Sequence, residues 1–583
     1  MTERSVRRHA APELAPDATL PDLIERAAAQ FPERGIAIFD GRGRRSERRT
    51  YREIADAARR SAGRWAALGL EPGERVLIAL PTSWSFLDAW LGAMLRGALP
   101  VAVAPGAAMG AAQAHLDKIE ALTERLGARF VLARDSFRAD AAADGTRRSA
   151  EVALRADELE GTAPAQFAAP TPAPDDIAFL QLTSGSTGVP RGVMIPHRAA
   201  LHNSLANDRA IGVPHGAPTS AWADSMVSWL PLHHDMGLIG CLFLSLYAGH
   251  DLWLFQPSTF LARPRLWLEH LGHHGRAFAP APNFGYQLCL ERLDAQADLE
   301  GLDLSSWSDA MTGAEMVRPE TVAGFCERFG PHGFRPEAFR PCYGLAEGTL
   351  AVTFDLRGRG LRTRPLPAGA TATLGSEGFG LSEVACVGEP IDDTTVEIVG
   401  PGGRRLDDSA IGEVWVRGPS VFAGYWNDPE ATAEGLEDGW LRTGDLGFLA
   451  GGELYLTGRT KDVLILRGHN LMPHEIEWQA EAVTGGGGAQ RSGAFSIARG
   501  ADGEEAVLVV EAVDRDPETL ATMAAEIRSR VGRTLSITLA DVAFVRRGRI
   551  PKTTSGKVQR RQLRHQYLAG TLDILPLGRA GER

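Results

Sequence analysis

Lysine is nearly missing from this 583-residue chain: it stands at positions 118, 461, 552 and 557, and the other 58 of the 62 basic residues are arginines. Arginine is written wherever either cation would serve. Yet three of the four lysines fall in the last quarter of the chain, each inside a motif described below. This points to a need for a compact, mobile ammonium rather than a planar guanidinium at some of these places. Cysteine is scarce too. Cys241, Cys289, Cys326, Cys342 and Cys386 are scattered, odd in number and never form a CxxC pair, so neither a disulfide framework nor a zinc site is indicated. Long apolar runs are absent. The greasiest stretch, 236–249, covers 14 residues and stops at His250-Asp251, short of the roughly 20 that span a bilayer. No transmembrane segment is expected. The first ten residues carry arginines with no apolar core behind them, so no secretory leader is expected and a cytoplasmic location follows. An excess of positive charge is lacking as well: 62 Lys+Arg against 73 Asp+Glu leaves a formal net charge of -11, which disfavours a nucleic-acid or anionic-membrane partner.

What is there is an ordinary globular composition, 44% hydrophobic and 23% charged, in a chain too long for one core. Apolar residues at three- and four-residue steps predict helices over 20–31 and 51–68, with Thr19 and Thr50 as caps. Arg75 to Leu80, a helix-like segment to Arg96, and a strand over 101–104 give the strand–helix–strand pattern of a parallel sheet. The Ala-, Pro- and Asp-rich stretch 140–176 reads as an exposed connection. Ile177 to Thr183 reads as a strand, and sheet-like and loop segments are expected from there to about Gly458. Beyond it strands over 463–466, 495–497 and 507–511 alternate with helices over 475–483 and 517–531, placing a domain boundary near 458–461. The run Gly485 to Gly488 punctuates the smaller domain.

Leu182-Thr-Ser-Gly-Ser-Thr-Gly-Val-Pro-Arg-Gly192 follows a strand and alternates hydroxyl residues with glycines. Such a loop offers N–H and O–H donors to a phosphate; a Ser/Gly surface turn is the plainer alternative. It is not a Walker A loop, because the only Gly-Lys, Gly556-Lys557, precedes Val558 and lacks the upstream glycine. In Ser228-Trp-Leu-Pro-Leu-His-His-Asp-Met-Gly-Leu-Ile-Gly240, adjacent histidines cannot both face one ion from a strand, and packed histidines are the plain reading. The apolar and aromatic run 278–289, with Pro282-Asn-Phe-Gly-Tyr286 inside it, suits an alkyl chain or ordinary core packing. Gly313-Ala-Glu315, Tyr343-Gly-Leu-Ala-Glu347, Thr443-Gly-Asp-Leu-Gly447 and Gly458-Arg-Thr-Lys-Asp462 follow. Ile550-Pro-Lys-Thr-Thr-Ser-Gly-Lys-Val-Gln-Arg560 closes the series, a solvated basic loop or a catalytic one.

This ordered set, spread along almost the whole chain, resembles the adenylate-forming superfamily of acyl-CoA synthetases, luciferases, peptide-synthetase adenylation domains and fatty acyl-AMP ligases. Pro282-Asn-Phe-Gly-Tyr286 looks like a hallmark of the ligase branch. So does the Gly/Pro/Arg-rich segment 355–381, which separates Glu347 from Gly388-Glu-Pro390 by 41 positions, more than in acyl-CoA synthetases. The resemblance implies an α/β fold. A large domain, 1–458, would hold two parallel-type sheets with flanking helices and a small β-barrel-like subdomain. A small mobile α+β domain, 459–583, would carry the catalytic lysine and turn about a hinge at Lys461.

It also implies the site. Thr183, Ser184, Gly185, Ser186, Thr187 and Gly188 would grip the phosphates of ATP with Arg191, where the family usually has lysine. Gly313, Ala314, Glu315, Tyr343 and Gly344 would form the adenine site, Tyr343 stacking on the base. Asp445 would accept the ribose hydroxyls, Arg459 would bind nucleotide and Glu347 would hold Mg²⁺. His234 would line the carboxylate site beside an acyl pocket containing Asn283, Phe284, Gly285 and Tyr286. Lys557 would bridge the carboxylate and the α-phosphate, with Glu347, Thr183 and His234 completing the catalytic set. His233, His469, Met472 and His474 depart from the ligase pattern. The implied activity is ATP-dependent conversion of a fatty acid to acyl-adenylate, then transfer to the phosphopantetheine thiol of an acyl carrier protein. In that branch segment 355–381 is thought to restrict the domain movement needed for coenzyme A. The alternatives are an acyl-CoA synthetase and a non-catalytic adenylate binder. The binder would have lost its motif cation or Mg²⁺ ligand, yet Lys557 and Glu347 are both present.

Overall fold

The computed structural model describes residues 14–578 apart from 16, 41, 107–111, 143–147, 184–189, 212–224, 274–275, 294–295, 368–382, 467–468, 485–490, 499–503, 514–515 and 553–556. The first helix, Leu20–Gln30, starts where Thr19 and Asp22 share a hydrogen bond, Thr19 N–H to Asp22 Oδ2 at 2.8 Å. Tyr51–Ala67 starts at a reciprocal capping box between Thr50 and Glu53. Both threonines cap as the sequence predicts.

Six strands form one sheet in the order Ala153–Arg155, Ala128–Ala133, Arg75–Ile78, Leu99–Ala102, Ile177–Leu182 and Gly192–Pro196. All pair in parallel except the last two. A nine-stranded sheet runs in parallel from Gly35–Phe39 through Asp251–Leu254, Ser225–Ser228, Ala277–Ala281 and Trp307–Thr312 to Phe339–Gly344. Antiparallel strands close its edges, Arg45–Thr50 on one side and Ala351–Phe354 with Glu389–Pro390 on the other. A five-stranded antiparallel sheet forms the small β subdomain, where Trp440–Ala450 pairs with Gly412–Arg417 and Glu453–Arg459.

From Leu464 onward the chain builds cores of its own. In the strand Glu504–Ala512, Leu508 and Val510 pack with Ile476 and Ile527, whereas Val507 and Val509 pack with Val545 and Leu563. This two-residue alternation puts apolar side chains on both faces, and helices Pro473–Thr484 and Pro517–Leu535 cover one while Arg560–Leu568 covers the other. Among the described residues no helix is long and apolar enough to cross a membrane.

Three expectations are corrected. The stretch 140–176 is not merely a connection: it contributes the helix Ala156–Gly161 and the sheet-edge strand Ala153–Arg155, too short to show a periodicity in sequence. The stretch 183–458 contains helices as well as strands, among them His197–Ile211, Pro264–His273, Asn283–Arg292 and Pro319–Phe329. The last three cross between parallel strands, as that pairing demands. The strand expected at 101–104 lies at Leu99–Ala102.

A buried charge cluster fixes the edge of the large sheet next to the site. Asp309 is fully buried and receives Arg340 at 3.0 Å and Arg357 at 3.1 Å. Arg340 also donates to the carbonyls of Ala210, at the end of a helix, and Asp355, where the 355–381 segment starts. Breaking one partner of such a pair leaves an uncompensated charge in the interior, at a cost of about 3–5 kcal/mol. Asp309→Ala is expected to lose that much in urea unfolding; a loss under about 1 kcal/mol would show that the cluster does not brace the sheet.

Candidate active site

Five of the sequence motifs converge because they lie at or just past the carboxyl end of a strand in a parallel sheet. Thr183 follows Ile177–Leu182, His234 lies beyond Ser225–Ser228, Asn283 beyond Ala277–Ala281, Gly313 beyond Trp307–Thr312, and Tyr343 ends Phe339–Gly344. In open parallel sheets this is the end where ligands bind. There the chain encloses a cavity of about 1350 Å³, walled also by Glu347, Asp445, Arg459 and Lys557. It exceeds the roughly 300–1,000 Å³ of an ordinary small-molecule pocket, so it has space for more than one substrate.

On one wall the Tyr343 hydroxyl donates to Asp445 Oδ2 at 2.6 Å, and Arg459 Nε donates to Asp445 Oδ1 at 2.8 Å. Burial, reinforced by the Asp445 charge, pushes the Tyr343 phenol well above its ordinary value, so it stays a donor. Gly313 passes so close to the neighbouring strand that a Cβ would sit 2.8 Å from the Cys342 carbonyl, and Ala314 takes a left-handed φ of 67°. Glu315 is held by the Phe284 N–H at 2.6 Å.

Glu347 sits on a short 3₁₀ turn, where Tyr425 donates to its Oε1 at 2.7 Å. Arg191 lies over the Tyr425 ring at 5.3 Å and faces Asp428 at 3.3 Å. Burial raises the Glu347 carboxyl above its ordinary value, against the opposing Tyr425 hydroxyl. A carboxylate disfavoured as a lone anion gains from a nearby cation. Among the described residues no three His, Cys, Asp or Glu side chains form a metal cage. A lone carboxylate of this kind is a donor that Mg²⁺ takes when phosphates and waters complete its shell. Thr183 N–H donates to the Arg191 carbonyl at 3.1 Å and closes the neck of the loop; Ser184, Gly185, Ser186, Thr187 and Gly188 lie outside the described residues.

His234 lines the cavity with its Nδ1 3.1 Å from Asp235. Burial alone would raise the Asp235 carboxyl, but His234, Lys557 and the Met236 N–H together hold it below its ordinary value. His233 turns away from the cavity lining and its carbonyl accepts from Gln181 at 3.1 Å. Burial pushes its pKa down to about 3, so the ring is neutral. Of the four residues expected at an acyl pocket, only Asn283 lines the cavity. Phe284 packs edge-on to Trp229, a Cβ on Gly285 would press into Trp229, and Tyr286 lies in the core with Trp307, Phe325 and Phe339. The reason is helical: consecutive residues of Asn283–Arg292 point about 100° apart, so a run of neighbours cannot share one wall.

Lys557 reaches the cavity from the smaller domain on a loop fastened at both ends. Upstream, Glu511 accepts the Ile550 N–H at 3.0 Å and faces Lys552 Nζ at 3.8 Å. Downstream, Arg560 makes a two-pronged contact with Glu477, 2.7 Å on each prong, and approaches Asp462 at 3.4 Å. Burial and then Arg459 lower the basicity of Lys557, opposed by Asp235, Glu315 and Asp445. Lys461 lies at the cavity rim on the turn Thr460–Asp462.

The smaller domain docks through contacts that no motif announced. Arg318 pairs with Glu481 and lies over Trp478 at 5.0 Å, while Arg491 meets Glu291 at 3.0 Å. The unusual Met472 and His474 belong to this seam. Met472 fills the place of a Cβ on Gly458, whose φ is +153°, and His474 packs against Trp478. Burial, with Arg560 and Arg318 nearby, pushes the His474 pKa down to about 3. The His469 side chain lies outside the described residues.

Residues 24–426 match the family described as AMP-binding enzyme. A putative acyl-CoA synthetase of Caulobacter vibrioides is 34% identical over 563 residues, covering 95% of this chain and 96% of that protein. The medium-chain-fatty-acid–[acyl-carrier-protein] ligase JamA of Moorena producens is 32% identical over 581 residues, covering 95% and 96%. A solved structure from a study of fatty acyl-adenylate ligases of E. coli and L. pneumophila matches with a TM-score of 0.85 at 30% identity, covering 95% of this chain and 98% of that one. With motifs, fold and cavity in agreement, the chain belongs to the AMP-binding enzyme family and, within it, to the fatty acyl-AMP ligases.

Proposed function

We propose that the protein joins a fatty acid to ATP, forming acyl-adenylate and pyrophosphate, and passes the acyl group to the phosphopantetheine thiol of an acyl carrier protein with release of AMP. The supporting observation is one cavity that gathers Thr183, His234, Glu347, Asp445 and Lys557 from both domains. In the first step a carboxylate oxygen attacks the α-phosphorus, forming an acyl–phosphate bond as the bond to pyrophosphate breaks. Two anions must meet, so positioning and fixed positive charge carry the catalysis. Lys557 bridges the carboxylate and the α-phosphate, and His234 lines the carboxylate site. The Thr183–Gly188 loop and Arg191 hold the β- and γ-phosphates. Gly313, Ala314, Glu315, Tyr343 and Gly344 receive the adenine, with Asp445 and Arg459 on the ribose side. Glu347 would hold Mg²⁺, which supplies charge neutralisation on the phosphates. Residues 459–583 act as the lid and Lys461 as its hinge; the enzyme works in the cytoplasm.

Acceptor choice rests on the name of the Moorena relative and on segment 355–381, whose base is pinned by Arg362 between Asp355 and Glu453. The name of the Caulobacter relative favours coenzyme A instead. With ATP, Mg²⁺ and dodecanoic acid, acyl transfer to a holo-carrier protein is expected and rapid acyl-CoA formation is not; the reverse result overturns the acceptor assignment.

Lys557→Ala is expected to slow acyl-adenylate formation by roughly 10²–10³-fold, the typical effect of removing one preorganised donor. A near-normal pyrophosphate-exchange rate would remove Lys557 from the mechanism. Because the ammonium is the useful form and burial lowers its basicity from the ordinary 10.5, activity should fall with rising pH along a limb lying below pH 10.5. A rate that stays flat through that value would contradict the role.

A further inference from the structure

We propose that Asn207 is a specificity determinant that accepts a hydrogen bond from a hydroxyl on the acyl chain, so that the acid activated is a hydroxylated fatty acid. The inference rests on the adenylation reading above and deepens it. Past Leu350 the cavity follows the strand Ala351–Phe354, walled by Ile211, Leu244, Phe354 and Val387. These side chains suit a hydrocarbon. Asn207 interrupts them: it lines the cavity from the helix His197–Ile211, and the residue is only 3% exposed.

The orientation of its amide is fixed by a relay from the backbone. Asn203 Nδ2 donates to the Ala351 carbonyl at 2.9 Å, and the Ala351 N–H donates to Asn203 Oδ1 at 3.2 Å. Those backbone groups have one polarity each, so the Asn203 amide can sit only one way round. Its Oδ1 then takes the Asn207 NH₂, at 2.9 Å. The Asn207 carbonyl oxygen is left aimed elsewhere, and among the described residues it receives no hydrogen bond. Two hydroxyls on the adjoining strand and turn are committed elsewhere: Thr353 donates to the Val387 carbonyl at 2.6 Å and Thr349 to the Ser420 carbonyl at 2.6 Å. A buried acceptor facing an alkyl chain is penalised and one facing a donor is not. A site built around such an acceptor therefore favours the substrate that brings the hydroxyl.

The test compares kcat/KM for acyl-adenylate formation from dodecanoic acid and from its positional hydroxydodecanoic isomers, using the full-length protein and Asn207→Leu. Wild type should prefer one hydroxylated isomer over dodecanoic acid by about tenfold or more, and Asn207→Leu should move the preference toward dodecanoic acid. The inference falls if wild type uses dodecanoic acid at least as well as every isomer, which would leave only water at Asn207. It falls equally if Asn207→Leu keeps the wild-type ranking. Should the leucine variant fail to fold, the wild-type ranking decides, with Asn207→Ser as the second variant. If no acid at all is adenylated, the failure belongs to the adenylation reading and this assignment goes with it.

Discussion

The whole arrangement depends on holding one ammonium where burial works against it. Removing a lysine from water disfavours its charge, and Lys557 is both partly buried and close to Arg459. Asp235, Glu315 and Asp445 act in the other direction, and they come from three separate segments of the large domain, two beyond parallel strands and one on the antiparallel strand Trp440–Ala450. Mechanical support comes from Glu511 and Glu477, which tie down the two flanks of the loop from within the smaller domain. The cation is thus delivered by one domain, while carboxylates of the other oppose the loss of its charge. Only when the two are docked does the electrostatic environment become complete.

That division explains why docking uses arginine so freely. Arg318 against Glu481 and Trp478, and Arg491 against Glu291, combine a planar fork with a stacking face. These arginines are structural clamps, and a flexible point charge would serve poorly there. Lysine is retained where reach matters more than planarity, at 552, where it meets Glu511, and at 557 on the cavity wall.

Much of the site could be read from sequence because its chemistry sits in short segments, at strand ends and on extended strands, where neighbours in sequence remain neighbours in space. Tyr343, Glu347, Asp445, Arg459 and Lys557 all reach the cavity. Reading failed where geometry is set by helical rotation or distant pairing. Phe284 and Tyr286 share a motif with Asn283 yet turn into the core. Tyr425 meets Glu347 across 78 positions, and Arg318 meets Glu481 across 163. No local periodicity carries such information. The cap residues Thr19 and Thr50 were legible for the opposite reason, since each pairs with a residue three positions away. The edge strand Ala153–Arg155 was not, because three residues in an Ala-rich context leave no pattern to find.

The three carboxylates around Lys557 have one more chemical result. A mixed anhydride acylates amines readily, and the amine of Lys557 lines the cavity in which the proposed one would form. Protonated, the nitrogen has no lone pair to offer; neutral, it would be a suicide nucleophile. By opposing the loss of that proton, Asp235, Glu315 and Asp445 would hold such an amine back from attacking an adenylate bound beside it.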